Sequence, residues 1–139
     1  MSTTTVTIHR IAGGKKALEL CRLVETLYLA GRRVVVFFGD AKRAAILDDY
    51  LWTFSQSSFV PHAPWDGATP VEEPVAVVSG DLVNANRADA LVVADRLADP
   101  ATAAVFAEVH DLVADLAEDS GKAEAWTAAG FAVMEAGQH

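Results

Sequence analysis

The sequence predicts an α/β fold, a three-layer sandwich in which helices cover both faces of a mostly parallel sheet. Three observations carry that prediction. Short unbroken apolar runs, Val34-Val35-Val36-Phe37-Phe38 above all, are the mark of strands covered on both faces. Segments with apolar residues at helical spacing lie between such runs. The two kinds of segment also alternate along the chain, the order that produces parallel sheets through crossover connections.

In chain order, Thr4, Val6 and Ile8 mark a first strand of period two, broken at Ile11-Ala12-Gly13-Gly14. From Lys15 to Ala30, Ala17, Leu20, Cys21, Val24, Leu27 and Tyr28 form the stripe of an amphipathic helix, with Gly31 placed to end it. After the strand 34–38, Asp40 is suited to cap a helix running through Leu51. Residues Thr53 to Glu73 hold Ser, Pro, Gly and aromatics without periodicity and predict a long ordered loop, a feature that is often functional. Val75–Val78 and Ala90–Ala94 predict two more buried strands. Asp99-Pro100 opens a further helix, with Pro at its first position. Val109–Val113 predicts a strand, Ser120–Ala129 a helix stopped by Gly130, and Phe131–Met134 a last strand. No linker divides the chain, so residues 1–139 are expected to form one domain.

Composition narrows the function classes. Apolar residues make up 52% of the chain and are spread evenly, which supports a sizeable core. No apolar run has the ~18–20 residues that cross a bilayer, and the N-terminus lacks the order of a signal peptide. The only cysteine, Cys21, excludes an internal disulfide and fits a reducing cytoplasm. The net charge of -8 is uneven: residues 1–71 hold 8 Lys/Arg against 6 Asp/Glu, and residues 72–139 hold 3 against 13. So acidic a surface repels the phosphate backbone, and no direct nucleic-acid binding is expected.

Catalytic motifs are weak. Gly13-Gly14-Lys15-Lys16 contains a Gly-Lys pair but lacks the first glycine of a P-loop and the hydroxyl residue after its lysine. Gly39-Asp40 has no glycine-rich continuation toward a dinucleotide fingerprint. His9, His62, His110 and His139 stand at no metal-ligand spacing, and one cysteine cannot complete a zinc site. Asp48 and Asp49 are neighbours on a helix and point apart. Cys21 falls on an apolar stripe, where a thiol is ordinarily core filler. Neither a cofactor nor an enzymatic activity is expected.

The segment Leu47-Asp48-Asp49-Tyr50-Leu51-Trp52-Thr53-Phe54-Ser55-Gln56-Ser57-Ser58-Phe59-Val60-Pro61-His62 stands apart. Trp52, Phe54 and Phe59 gather at a helix end and in the loop after it. One such aromatic is ordinarily a cap on the core. Three on a rigid corner are the usual anchors of a protein interface, where large apolar area is fixed at small entropic cost. His62 suits either an anchor or an internally hydrogen-bonded role.

This segment, with Leu-Asp-x-x-Leu-Trp at 47–52 and Ser-Phe-Val-Pro-His at 58–62, resembles the signature of the chi subunit of bacterial DNA polymerase III. The strand Arg32–Phe38, Pro74-Val75, Asn86–Ala94, Phe106-x-x-Val109 and Ala129-Gly130-Phe131 follow the family's order, so the resemblance covers nearly the whole chain. It implies a Rossmann-like fold and a non-enzymatic adaptor that links the clamp loader, through the psi subunit, to the acidic C-terminal tail of single-stranded-DNA-binding protein. In some bacteria the family also pairs with a helicase. Trp52 and Phe59 would serve the psi or helicase side, with Leu51, Phe54, Val60 and Pro61 as a supporting rim.

The family grips the acidic tail with cations and an aromatic on its last helix. Here that stretch reads Glu118-Asp119-Ser120-Gly121-Lys122-Ala123-Glu124-Ala125-Trp126-Thr127, where Lys122 and Trp126 are the candidate contacts and Glu124 stands where a cation is expected. A second candidate place for the tail lies near Lys15, Lys16, Arg22, Lys42 and Arg43, residues that also suit a solvated helix surface. The alternative function is a small α/β nucleotide-binding protein or enzyme using the Gly13–Lys16 turn.

Overall fold

A computed structural model describes residues 4–11, 14–53 and 60–136. Seven strands form one sheet in the order β3-β4-β2-β5-β6-β1-β7, and all six strand pairings are parallel. They are β1 (Thr5–Arg10), β2 (Val34–Phe38), β3 (His62–Pro64), β4 (Val75–Ser79), β5 (Ala90–Val93), β6 (Glu108–Val113) and β7 (Ala132–Glu135). The helices are α1 (Lys16–Leu29), α2 (Ala41–Thr53), α3 (Pro100–Ala103) and α4 (Lys122–Ala128), with a 3₁₀ turn over Ala117–Asp119. The α/β three-layer arrangement expected from the alternating segments is present.

The continuous apolar strands explain the layers. In β2 every residue is buried, and alternate side chains enter opposite cores. Val34, Val36 and Phe38 pack with Leu20, Val24 and Leu27 of α1 and Leu47 and Leu51 of α2. Val35 and Phe37 face the other way, toward Ala103 of α3, Phe106 and Trp126 of α4. Cys21 is fully buried in the first core, and burial pushes its thiol pKa up to about 12, so it is inert filler.

Local chemistry sets the ends. Asp40 opens α2, its carboxylate accepting from the Lys42 N–H at 2.9 Å. Helices α1 and α4 close alike. Gly31 N–H donates to the Tyr28 carbonyl and Arg32 N–H to that of Leu27, while Gly130 N–H donates to Thr127 and Phe131 N–H to Trp126. The closing glycines have φ of 83° and 97°. A Cβ at Gly31 or Gly130 would meet no atom within 4 Å. Gly31→Ala and Gly130→Ala should therefore each destabilise through backbone strain alone, by about 1–2 kcal/mol, read as a lower urea midpoint at unchanged m.

Several expectations need correction. The segment Thr53 to Glu73 is not all loop, because His62–Pro64 adds β3 beside β4. Three residues are too few to show a period, and Pro64 is tolerated because this strand is the sheet's edge. The helix opening at Asp99 is only four residues long, although Asp99 does accept from the Thr102 N–H. The last helix begins at Lys122, since Gly121 ahead of it has φ 76°. Strand β7 runs one residue later than expected.

Candidate functional site

The aromatic corner forms where α2 runs out and the chain returns to the sheet. Leu47 and Leu51 bury one face of α2, which turns Trp52 outward, 53% exposed. Val60 is buried, and His62 starts β3 beneath the helix end. His62 is internally bonded, with Nδ1 2.7 Å from the Val60 carbonyl and Nε2 3.1 Å from that of Asp48. Its ring lies 4.4 Å, centroid to centroid, from the Trp52 ring. The indole thus packs against the imidazole while about half of its residue's surface stays exposed. Leu51 and Val60 are core residues, not rim, because their side chains point at the α2 side of the sheet. Pro61 is half-buried. Phe54 and Phe59 lie outside the described residues.

At the carboxyl ends of the strands, where open α/β sheets commonly bind ligands, two carboxylates already occupy the backbone donors. Asp95, just after β5, accepts from the N–H groups of Gly39 (2.7 Å), Asp40 (3.3 Å) and Arg96 (2.6 Å). It fills the nest at the start of α2 that a phosphate would otherwise use. Asp119 accepts from the Ala114 N–H at 2.7 Å and from Lys16 and Lys122.

The Lys16 ammonium, the cation of the Gly-Lys turn, is thereby tied at 3.0 Å to Asp119. Burial alone would raise the Asp119 pKa. The Ala114 N–H and the two ammoniums outweigh it and hold the carboxyl below its ordinary range.

Lys122 and Trp126, candidate contacts for an acidic tail, are placed elsewhere. Lys122 is 2% exposed, and Trp126 is fully buried. The Lys122 ammonium donates to Asp111 at 2.8 Å, and the Trp126 indole N–H donates to the other oxygen of Asp111 at 2.8 Å. Asp111 is buried, which raises its pKa. Both α4 residues point at the sheet because they stand four apart on one helical face.

Of the second cationic group, Lys16 and Arg43 line one groove between α1 and α2. Lys15 and Lys42 are exposed beside them. Arg22 is not part of this group. It pairs with Glu19 at 3.0 Å and borders a different hollow, beside His9.

His9, which lines that hollow, belongs to a histidine pair absent from any motif. His9 Nε2 lies 2.8 Å from His110 Nδ1, and His110 Nε2 lies 3.1 Å from Glu108. Burial, and then the neighbouring His110, lowers the His9 pKa to about 4. The unfolded chain thus binds the extra proton first, near pH 6.5. The stability that neutral His9 contributes is present above that value and is lost as the pH falls toward 4. Urea midpoints measured from pH 7 to 4.5 should fall more steeply for the wild type than for His9→Gln.

Among the described residues no cluster of three or more His, Cys, Asp or Glu could hold a metal. None of the described helices is long and apolar enough to cross a membrane.

The family described as DNA polymerase III chi subunit, HolC, matches residues 4–130. A probable DNA polymerase III subunit chi of Rickettsia prowazekii is 30% identical over 74 residues, covering 53% of this chain and 44% of the relative. The DNA polymerase III subunit chi of Escherichia coli is 34% identical over 108 residues, covering 72% of this chain and 69% of that one. The chain thus spans less than half the length of the first relative.

Among solved structures, domain 2 of the DEAD-box helicase Mss116p, bound to an RNA duplex, superposes with a TM-score of 0.58. The match has 11% identity and covers 99% of this chain and 65% of that one. The C-terminal domain of the Sulfolobus solfataricus SWI2/SNF2 ATPase gives 0.52 at 17% identity, covering 72% and 50%. These two likenesses show a shared α/β fold alone.

Proposed function

The chain belongs to the DNA polymerase III chi subunit family, and we propose that it serves DNA replication in the cytoplasm as a non-enzymatic adaptor. Its partners in this reading are a psi-like clamp-loader subunit or a helicase at the Trp52 corner, and the acidic C-terminal tail of single-stranded-DNA-binding protein at a second surface. Trp52 and Phe59 are the anchors, with Phe54 and Pro61 beside them.

The observation that carries the reading is Trp52: a half-exposed indole, seated on a buried and internally bonded histidine, at the corner that holds the family's signature. Large rigid aromatics fixed in this way supply most of the binding free energy at protein interfaces. The overall charge of -8 supports protein partners over nucleic acid.

Nucleotide binding through the Gly13–Lys16 turn is the lesser reading. Gly13 lies outside the described residues. The Lys16 ammonium is engaged by Asp119, and the amides at the start of α2 are engaged by Asp95. Added phosphate would have to displace both carboxylates.

The test is calorimetric titration of the chain with clamp-loader subunits, helicases and single-stranded-DNA-binding protein from its own organism. Binding to at least one, lost on Trp52→Ala, supports the adaptor. Binding to none, with a rise in melting temperature on adding a nucleotide, would replace it with the lesser reading.

A further inference from the structure

The amino ends of β4, β2 and β5 lie side by side, and the segments leading into them line a cavity of about 550 Å³. That is within the ~300–1,000 Å³ of sites that hold a small molecule. The cavity lies at the end of the sheet opposite to Asp95 and Asp119. Pro70, Val71 and Ala85 give it an apolar wall, and Arg33, Asn86 and Arg87 supply polar groups. The Val71 N–H donates to the Ala85 carbonyl at 2.9 Å, and the Asn84 side chain accepts from the Ala88 N–H at 2.8 Å. Both walls are therefore fixed in place by the chain's own bonds, which lowers the cost of ordering them around a ligand.

Three features of the lining are not accounted for by folding alone. Arg33 is held by carbonyls: Nε donates to Asn86 at 2.8 Å, and Nη2 to Glu72 and Glu73 at 3.0 and 3.2 Å. Among the described residues no carboxylate pairs with this guanidinium, and its Nη1 keeps two N–H donors without an acceptor. The Asn86 side chain is 3% exposed and shares its NH2 group among the carbonyls of Val34, Glu73 and Pro74. Its amide oxygen has no hydrogen-bond partner among the described residues. Arg87, with φ 55°, is the one non-glycine of positive φ among those residues. Backbone strain and unmet buried polar groups gather where a ligand is held. Charge agrees, since two arginines line the cavity against one carboxylate, Glu72.

We propose that this cavity binds a small organic oxyanion, a carboxylate or phosphate monoester carried on a compact apolar body. The head group takes the open donors of Arg33 and the guanidinium of Arg87, whose planar fork matches two oxygens at once. The body lies on Pro70, Val71 and Ala85. The site uses none of the groups at the Trp52 corner, so each stands or falls alone.

The probes are benzoate, phenyl phosphate and inorganic phosphate, each titrated into the full chain up to about 10 mM, a range that detects millimolar affinity. Backbone amide NMR shifts locate the binding, and the melting temperature reports it independently. Benzoate or phenyl phosphate should shift the amides of Val71, Ala85 and Arg87 and raise the melting temperature, the tighter of the two identifying the head group. Arg87→Gly should weaken that binding roughly 10-fold, through loss of a charge-assisted hydrogen bond. Its urea midpoint should stay the same or rise, because glycine adopts the left-handed conformation freely. Glu72→Gln removes the opposing carboxylate and should tighten binding about 2-fold. The proposal is overturned if neither organic anion binds, if inorganic phosphate binds as tightly as phenyl phosphate, or if Arg87→Gly keeps wild-type affinity.

Discussion

Lys122→Met is expected to cost about 3–5 kcal/mol of folding stability, the range for removing one partner from a buried ion pair. The ammonium lies 2.8 Å from Asp111 and 3.0 Å from Asp119, and the side chains of both acids are fully inaccessible. Methionine keeps most of the volume, so cavity formation contributes little and the loss is electrostatic. Asp119 retains Lys16 and the Ala114 N–H. Among the described residues Asp111 retains the Trp126 N–H alone, so it carries most of the penalty.

The variant Lys122→Met, Asp111→Asn should recover a large part of the loss, because it removes the orphaned charge and keeps an acceptor for the indole. Urea unfolding checks both, through the midpoint at unchanged m.

The pH dependence has a definite sign. Asp111 has a folded pKa above its unfolded value, so its contribution is complete below the unfolded value and is lost as the pH rises through the folded one. Without Lys122 the folded value rises further. The penalty of Lys122→Met should therefore be smaller at pH 5 than at pH 8. A penalty independent of pH would mean that packing, not the buried charge, sets the cost.

The sheet was legible because its central strands are continuous apolar runs, whose only stable setting is between two layers. The caps at Asp40, Gly31 and Gly130 were legible too, because each is a local requirement of a helix end. What stayed hidden depends on contacts between distant segments. Lys122 read as a candidate contact for an acidic tail because its partner, Asp111, belongs to a different element. A signal was present, since Asp111 interrupts the apolar run Val109–Val113, and a carboxylate inside a buried strand requires a partner. Lys122 and Trp126, four apart on the next helix, supply it.

Leu51 and Val60 were read as rim because the motif places them beside Trp52, but helical phase turns Leu51 to the core. Asp95 carries no local mark of its role, and β3 is too short to show a period.

At the family's signature corner, Trp52→Ala should weaken binding of the clamp-loader or helicase partner by roughly 30-fold or more, equivalent to about 2 kcal/mol, the threshold of an interface hot spot. The same substitution should leave folding nearly untouched. The indole is half exposed, and its inward neighbour His62 has its ring nitrogens beside the carbonyls of Val60 and Asp48, which stay in place when the indole is gone. A folding penalty of about 1 kcal/mol or less is therefore expected. The separation of the two effects is the informative part. A core aromatic loses stability first and binding only as a consequence, whereas an anchor loses binding alone. Trp52→Phe keeps an aromatic face over His62 with less area, so its affinity should fall between wild type and alanine. Calorimetric titration alongside urea unfolding measures both quantities on one preparation. Equal affinity in all three proteins would remove Trp52 from the interface.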